Sequence, residues 1–133
     1  MQVETNLTAL TEVLEWFEQF TEPLLPQRFR WQCQIVLVEG FTNAVRHAHQ
    51  HLPPTTLIEL ELSVFTHCFE MRIWDWGEPF DLHAKLHSLC QENHNPLDKE
   101  GGRGLMFMQQ LTDELCYQRL PDGRNCLLMR KHC

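Results

Sequence analysis

The sequence lacks any apolar run approaching the length of a bilayer span, and its first residues, Met1-Gln2-Val3-Glu4-Thr5, hold no basic stretch followed by an apolar one. Neither a membrane span nor a secretory leader is expected, and the predicted setting is the cytoplasm. Positive charge is scarce as well. The 11 Lys and Arg residues face 18 Asp and Glu, for a formal net charge of −7. Nothing is left over to neutralise a phosphate backbone, so nucleic acid is not an expected partner. None of the six cysteines forms a C-x-x-C pair, and they read as reduced thiols, several of them in the core. Internal repeats and low-complexity tracts are missing too. What is present is an ordinary globular composition, 43% apolar and 22% charged over 133 residues. That suits a single domain, residues 1–133, with a proper core.

Leu7, Leu10, Val13, Leu14 and Phe17 recur at helical spacing between Leu7 and Phe20, with Asn6 as N-cap and Pro23 and Pro26 beyond the end. A second helix is predicted from about Arg28 to His49. Its apolar stripe would be Ile35, Val38, Phe41, Val45 and Ala48, with Glu39, Asn43 and Arg46 on the opposite side. Gly40 inside it costs about 1 kcal/mol relative to Ala, which hints at a close approach. Past Pro53-Pro54, Ile58, Leu60, Leu62 and Val64 alternate with polar residues, and after a turn near Thr66-His67 so do Phe69, Met71 and Ile73. This pair reads as an antiparallel hairpin. Periodicity then weakens, with a short helix expected over Leu82–Gln91 and a loop over Asn93–Arg103. A further helix, Leu105 to Leu115, precedes two strands, Cys116–Leu120 and Asn125–Lys131, around the turn Pro121-Asp122-Gly123. Helices on one face of a mixed, mostly antiparallel sheet make a two-layer α/β sandwich.

Three patches carry chemistry. Glu39 and Asn43 stand one helical turn apart. The amide oxygen could hold a Mg²⁺ that keeps most of its waters, and the carboxylate could take a proton from an attacking hydroxyl or water. Two solvated side chains would show the same spacing. Asp75-Trp76-Gly77 ends a strand, where Asp can accept from an exocyclic amine and Gly admits a planar ring; ordinary strand-end turns use the same residues. Gly101-Gly102-Arg103-Gly104-Leu105 opens the last helix. Its glycines free backbone N–H groups to turn toward phosphate, the helix N-terminus adds partial positive charge, and Arg103 adds a full one. A flexible hinge has the same composition. His47, His49 and His51, and likewise His83, His87, Cys90 and His94, have spacings that suggest metal ligands, but both sets read as incidental. Trp16, Trp31, Trp74 and Trp76 read as core or partner contacts.

In this order, E-x-x-x-N on a helix, D-x-G at a strand end and G-x-G before a helix resemble the N, G1 and G2 boxes of the GHKL ATPase/kinase superfamily, which has the Bergerat fold. The resemblance covers about Gln34 to Leu115. Glu39–His47 (EGFTNAVRH) and Gly101–Glu114 (GGRGLMFMQQLTDE) look most like the small anti-sigma-factor serine/threonine kinases. The helical dimerisation domain of a sensor histidine kinase is not expected within these 133 residues. The resemblance implies binding of ATP and Mg²⁺, with Asn43 as metal ligand and Asp75 on the adenine amine. It places Gly77 near the base, and Gly102, Arg103, Gly104 and Leu105 at the phosphate end. The segment from about Leu82 to Glu100 would be the ATP lid. Glu39 would be the general base that activates a serine on a STAS-domain antagonist protein. A sigma factor and a second copy of the chain stay open as further partners. The alternative is a non-catalytic ATP-binding module that sequesters a sigma factor or another regulator; retention of Glu39 favours the enzyme. One departure is Glu78-Pro79, where many relatives carry a second glycine. Pro79 would stiffen the entrance to the lid.

Overall fold

A computed structural model of the chain describes residues 1–79, 82 and 102–133, with 102–104 as backbone only. The chain opens with β1 (Gln2–Glu4) and a 3-10 turn (Leu7–Ala9) that runs into α1 (Leu10–Thr21). α2 (Gln27–Asn43) passes directly into a π turn (Ala44–Ala48), followed by the hairpin β2 (Leu57–Val64) and β3 (Cys68–Asp75). α3 (Gly102–Leu111), β4 (Glu114–Arg119) and β5 (Asn125–His132) complete the described elements. The sheet has the order β1-β2-β3-β5-β4, and every described pair is antiparallel. The expected α/β sandwich, with helices on one face, is the fold found.

Alternation along the strands decides which face is covered. Ile58, Leu60, Phe69, Met71, Ile73, Leu127 and Met129 are buried on one face, against Val13 and Phe17 of α1, Val36, Leu37 and Phe41 of α2, and Met108 of α3. Phe69 sits at the centre, with Phe17 and Phe29 edge-on to it at centroid distances of 6.3 and 6.4 Å. The other face carries charge. Glu70 is buried between Arg72 (2.8 Å) and Arg130 (2.6 Å). Burial acts to raise the Glu70 pKa, but the Arg130 hydrogen bond and both guanidinium charges outweigh it and hold the carboxyl below its ordinary value.

Four departures from the sequence-based expectation have physical causes. β1 is too short to show a period, yet Val3 is buried and pairs with Ile58. The buried face of α2 is Cys33, Val36, Leu37, Gly40 and Phe41, whereas Ile35 is 46% exposed and Val38 and Val45 are half-buried. Ile35 to Val38 are four apolar residues in a row, so spacing alone leaves the inward face undetermined. Gly40 lies on it, close enough to the sheet that a Cβ there would stand 2.8 Å from Ile73 Cδ1. The helix does not continue as α to His49: it widens into the π turn, closed by His49 N–H on the Ala44 carbonyl at 2.9 Å. α3 stops at Leu111, and Leu115 belongs to β4. The Thr112 hydroxyl (2.5 Å, to Met108 O) and Lys131 Nζ (3.0 Å, to Leu111 O) satisfy its last carbonyls, and Asp113 N–H already pairs with Arg130 O.

Asn6 caps as expected, accepting from Thr8 N–H at 3.0 Å. The Pro121-Asp122-Gly123 turn forms with Gly123 at φ 94°. Of the described cysteines, all free, only Cys33 is fully buried. The helix expected over Leu82–Gln91 lies outside the described residues apart from Leu82, as does most of the loop before Gly102 and the residue set His83, His87, Cys90, His94.

Because Phe69 joins both N-terminal helices to the sheet, Phe69→Ala is expected to cost about 3–5 kcal/mol of stability. Urea denaturation checks this as a lower midpoint at unchanged slope.

Candidate functional site

A cavity of about 300 Å³ opens between the helical layer and the ends of the central strands. Asn43, Ala44, His47 and Ala48 form one wall, Ile73, Asp75, Tyr117 and Leu127 the sheet side, and Leu105 and Met108 of α3 a third side. Glu78, Pro79 and Leu82 also line it. An apolar lining with a few fixed polar groups is the usual make-up of a small-molecule site.

Asp75 is the most constrained of those polar groups. β3 ends where β5 begins, so Asp75 pairs with Asn125 in register. Asp75 Oδ1 accepts from Gly77 N–H and from Asn125 Nδ2, both at 2.9 Å. Asn125 also donates to Gly77 O (2.8 Å), and Arg119 Nη1 donates to the same carbonyl (3.1 Å). With Oδ1 committed, Oδ2 is the oxygen left to accept from a ligand. The Tyr117 phenol is held protonated, pushed up by burial and then by the charge of Asp75 against the opposing pull of Arg119.

Gly77 is glycine for a reason internal to the chain. A Cβ there would lie 2.4 Å from Ala48 O and 2.7 Å from Ala48 Cα, so the backbone of the π turn occupies its place. The three neighbouring histidines diverge. His47 faces the cavity, His51 is exposed, and His49 is buried and bonded to Thr5 and to Trp76 N–H.

Of the residues singled out from sequence, the fold thus brings Asn43, Asp75 and Leu105 to one cavity, with Gly77 directly behind Asp75. Gly102 is the first residue of α3, and Leu105, one turn on, lines the cavity, so the helix's first turn borders it. The Arg103 side chain and the proposed lid lie outside the described residues. Glu39 does not line this cavity. It edges a shallow groove on the outer side of α2 with Trp31, Gln34, Ile35 and Val38. Asn43 and Glu39, one turn apart on α2, therefore border two different hollows. Sequence reasoning missed Asn125, Arg119, Tyr117, Met108 and the role of His49. Asn125 alone carried a signal, since Asn is disfavoured in strands.

Gly40 and Gly77 give a paired prediction. Gly40→Ala displaces only the tip of Ile73 and recovers about 1 kcal/mol of helix propensity, so it should be near neutral. Gly77→Ala must push backbone aside, at a cost of about 1–3 kcal/mol. Urea midpoints of the two variants measure the difference.

Comparison with known proteins agrees with this geometry. The histidine kinase-like ATPase domain profile matches residues 3–131. The serine-protein kinase RsbW of Staphylococcus epidermidis is 35% identical over 85 residues, covering 62% of this chain and 54% of that protein. The serine-protein kinase RsbW of Bacillus licheniformis is 34% identical over 88 residues, covering 64% and 54%. The chain thus aligns with about half the length of the curated relatives it matches. A chain of the SiaB–SiaC complex from Pseudomonas aeruginosa superposes with a TM-score of 0.65 at 14% identity, covering 100% of this chain and 89% of that one, a likeness of fold. The chain belongs to the histidine kinase-like ATPase domain family, of the GHKL type.

Proposed function

We propose that the chain is a protein serine/threonine kinase of a partner-switching system, working in the cytoplasm with ATP and Mg²⁺ on a serine of a STAS-domain antagonist protein. The observation that carries this reading is the division of the α2 ridge, with Asn43 on the cavity side and Glu39 on the outer groove. Hydrolysis of ATP would require only water at Glu39. Here the carboxylate stands beside exposed apolar side chains, Trp31 at 60% and Ile35 at 46%, which suits the serine-bearing segment of a protein. The similarity to proteins named serine-protein kinases supports the same reading.

The roles follow from chemistry. Asp75 Oδ2 accepts from the adenine amine, and Ile73, Leu105 and Met108 cover the ring. The triphosphate runs toward the first turn of α3, where the N–H groups of Gly102 and Gly104 and the charge of Arg103 meet it. Asn43 offers a hard amide oxygen at the cavity wall, a fitting ligand for Mg²⁺, which when bound offsets charge on the phosphates. Glu39 accepts the serine hydroxyl proton as its oxygen bonds to the γ-phosphorus and the bond to the β–γ bridging oxygen breaks, leaving phosphoserine and ADP.

The expected outcome for Asp75→Asn is at least about tenfold weaker ATP binding, about 1.4 kcal/mol, measured by calorimetry. Glu39→Gln should bind Mg-ATP like wild type but transfer phosphate at least about a hundredfold more slowly, read by mass on the STAS-domain protein. An unchanged rate in Glu39→Gln would remove the base assignment. A wild-type chain that binds its partner without phosphorylating it would be a sequestering module instead.

A further inference from the structure

His49 is 2% exposed, and both of its ring nitrogens are engaged. Its Nε2 lies 2.8 Å from the backbone nitrogen of Trp76, which can only donate. Its Nδ1 lies 2.8 Å from Thr5 Oγ1, and that hydroxyl gives its single proton to Thr56 O at 2.7 Å. The ring must therefore accept at Nε2 and donate from Nδ1, which is one neutral tautomer. Thr5 is anchored in turn by its N–H, 3.1 Å from both Pro54 O and Thr56 O. The extra residue of the π turn is what carries His49 inward, and the same turn sets Ala48 against Gly77.

We propose that His49 is a positioning residue for nucleotide binding: by accepting Trp76 N–H it holds the Asp75–Gly77 turn in the conformation that receives the base, and through Thr5 it ties that turn to the N-terminal strand. The proposal rests on the reading of Asp75 as the base-recognising group. Trp76 N–H lies between the Asp75 carboxylate and the Gly77 amide that bonds to it, so its partner sets the direction of the whole turn. Without an acceptor there, a donor half-buried beside the cavity wall is orphaned.

Protonation undoes the same contact, since a proton on Nε2 would face the Trp76 N–H. Burial lowers the His49 pKa from its ordinary 6.5, and the charge of Asp75 on β3 pulls the other way. On its own segment, Arg46 and His51 are exposed, and His47 lines the cavity. Because the folded value is the lower one, the stabilisation by neutral His49 is fully present above the unfolded pKa. It is lost as pH falls from there through the folded pKa.

The test compares Mg-ATP affinity by calorimetry for wild type, His49→Leu and His49→Gln between about pH 7.5 and 5.5, with amide exchange read at Trp76. His49→Leu should bind at least about tenfold more weakly at the upper pH and exchange Trp76 N–H faster. His49→Gln keeps an acceptor and should bind near wild type, without the added loss of affinity that wild type shows in acid. Every other group, the ATP phosphates included, is common to all samples, so the difference between wild type and His49→Gln isolates His49. A folded His49→Leu with wild-type affinity, or a His49→Gln with the wild-type acid profile, would overturn the proposal. If His49→Leu does not fold, the comparison of wild type with His49→Gln decides alone. Asp75→Asn run alongside separates the premises: normal binding there defeats the base reading, whereas Trp76 exchange still reports whether His49 holds the turn.

Discussion

At the end of β3 the chain must lay the Gly77 peptide against the backbone of Ala48, in a space that admits no side chain. That contact closes the helical layer onto the strand ends and creates the cavity wall. Apolar burial contributes little to it, because Gly77 has no side chain and Ala48 offers only its Cβ beside its backbone. It is held by hydrogen bonds from flanking elements: Asn125 and Arg119 on the Gly77 carbonyl, Asp75 on its N–H, and His49 on the preceding N–H. Polar groups buried this way are costly unless fully paired, and here the pairing also orients a carboxylate. The packing constraint and the orientation of Asp75 thus have one origin.

The second consequence concerns α2. The helix has one face in the core, one bordering the cavity and one outside, and its widening at Ala44 turns the residues after Asn43 toward the strand ends. Nucleotide and protein nucleophile would meet along one stretch of this helix, Asn43 bordering the cavity and Glu39, one turn earlier, the groove. Phosphoryl transfer in general needs little covalent help from a protein, only alignment and charge. In the proposed kinase, one helix carrying both groups would supply the alignment.

Much of this was legible in the sequence. The alternation Ile58–Val64 and Phe69–Ile73 defined the hairpin, Asp122-Gly123 defined the last turn, and the order of the three motifs led to the family. Other features were hidden for identifiable reasons. The inward face of α2 is masked by the unbroken apolar run Ile35–Val38, and only contact with Ile73 resolves it. β1 depends on pairing with a strand more than fifty residues away. The π turn has no local signature, so His49 looked like one of three loose histidines. Asn125 and Arg119 reach Asp75 and Gly77 across strand neighbours, which no spacing along the chain reveals. Glu39 and Asn43 appeared to share one site; in space they share a ridge and face different hollows.

The central claim, that the cavity takes nucleotide while the Glu39 groove is reserved for another molecule, can be read most directly by amide chemical shifts during titration with a non-hydrolysable Mg-ATP analogue. The account predicts shifts concentrated at Asn43, Asp75, Trp76, Gly77 and Leu105, with Trp31 and Ile35 little changed. Shifts concentrated at Trp31, Ile35 and Val38 with the Asp75–Gly77 turn unmoved would contradict it.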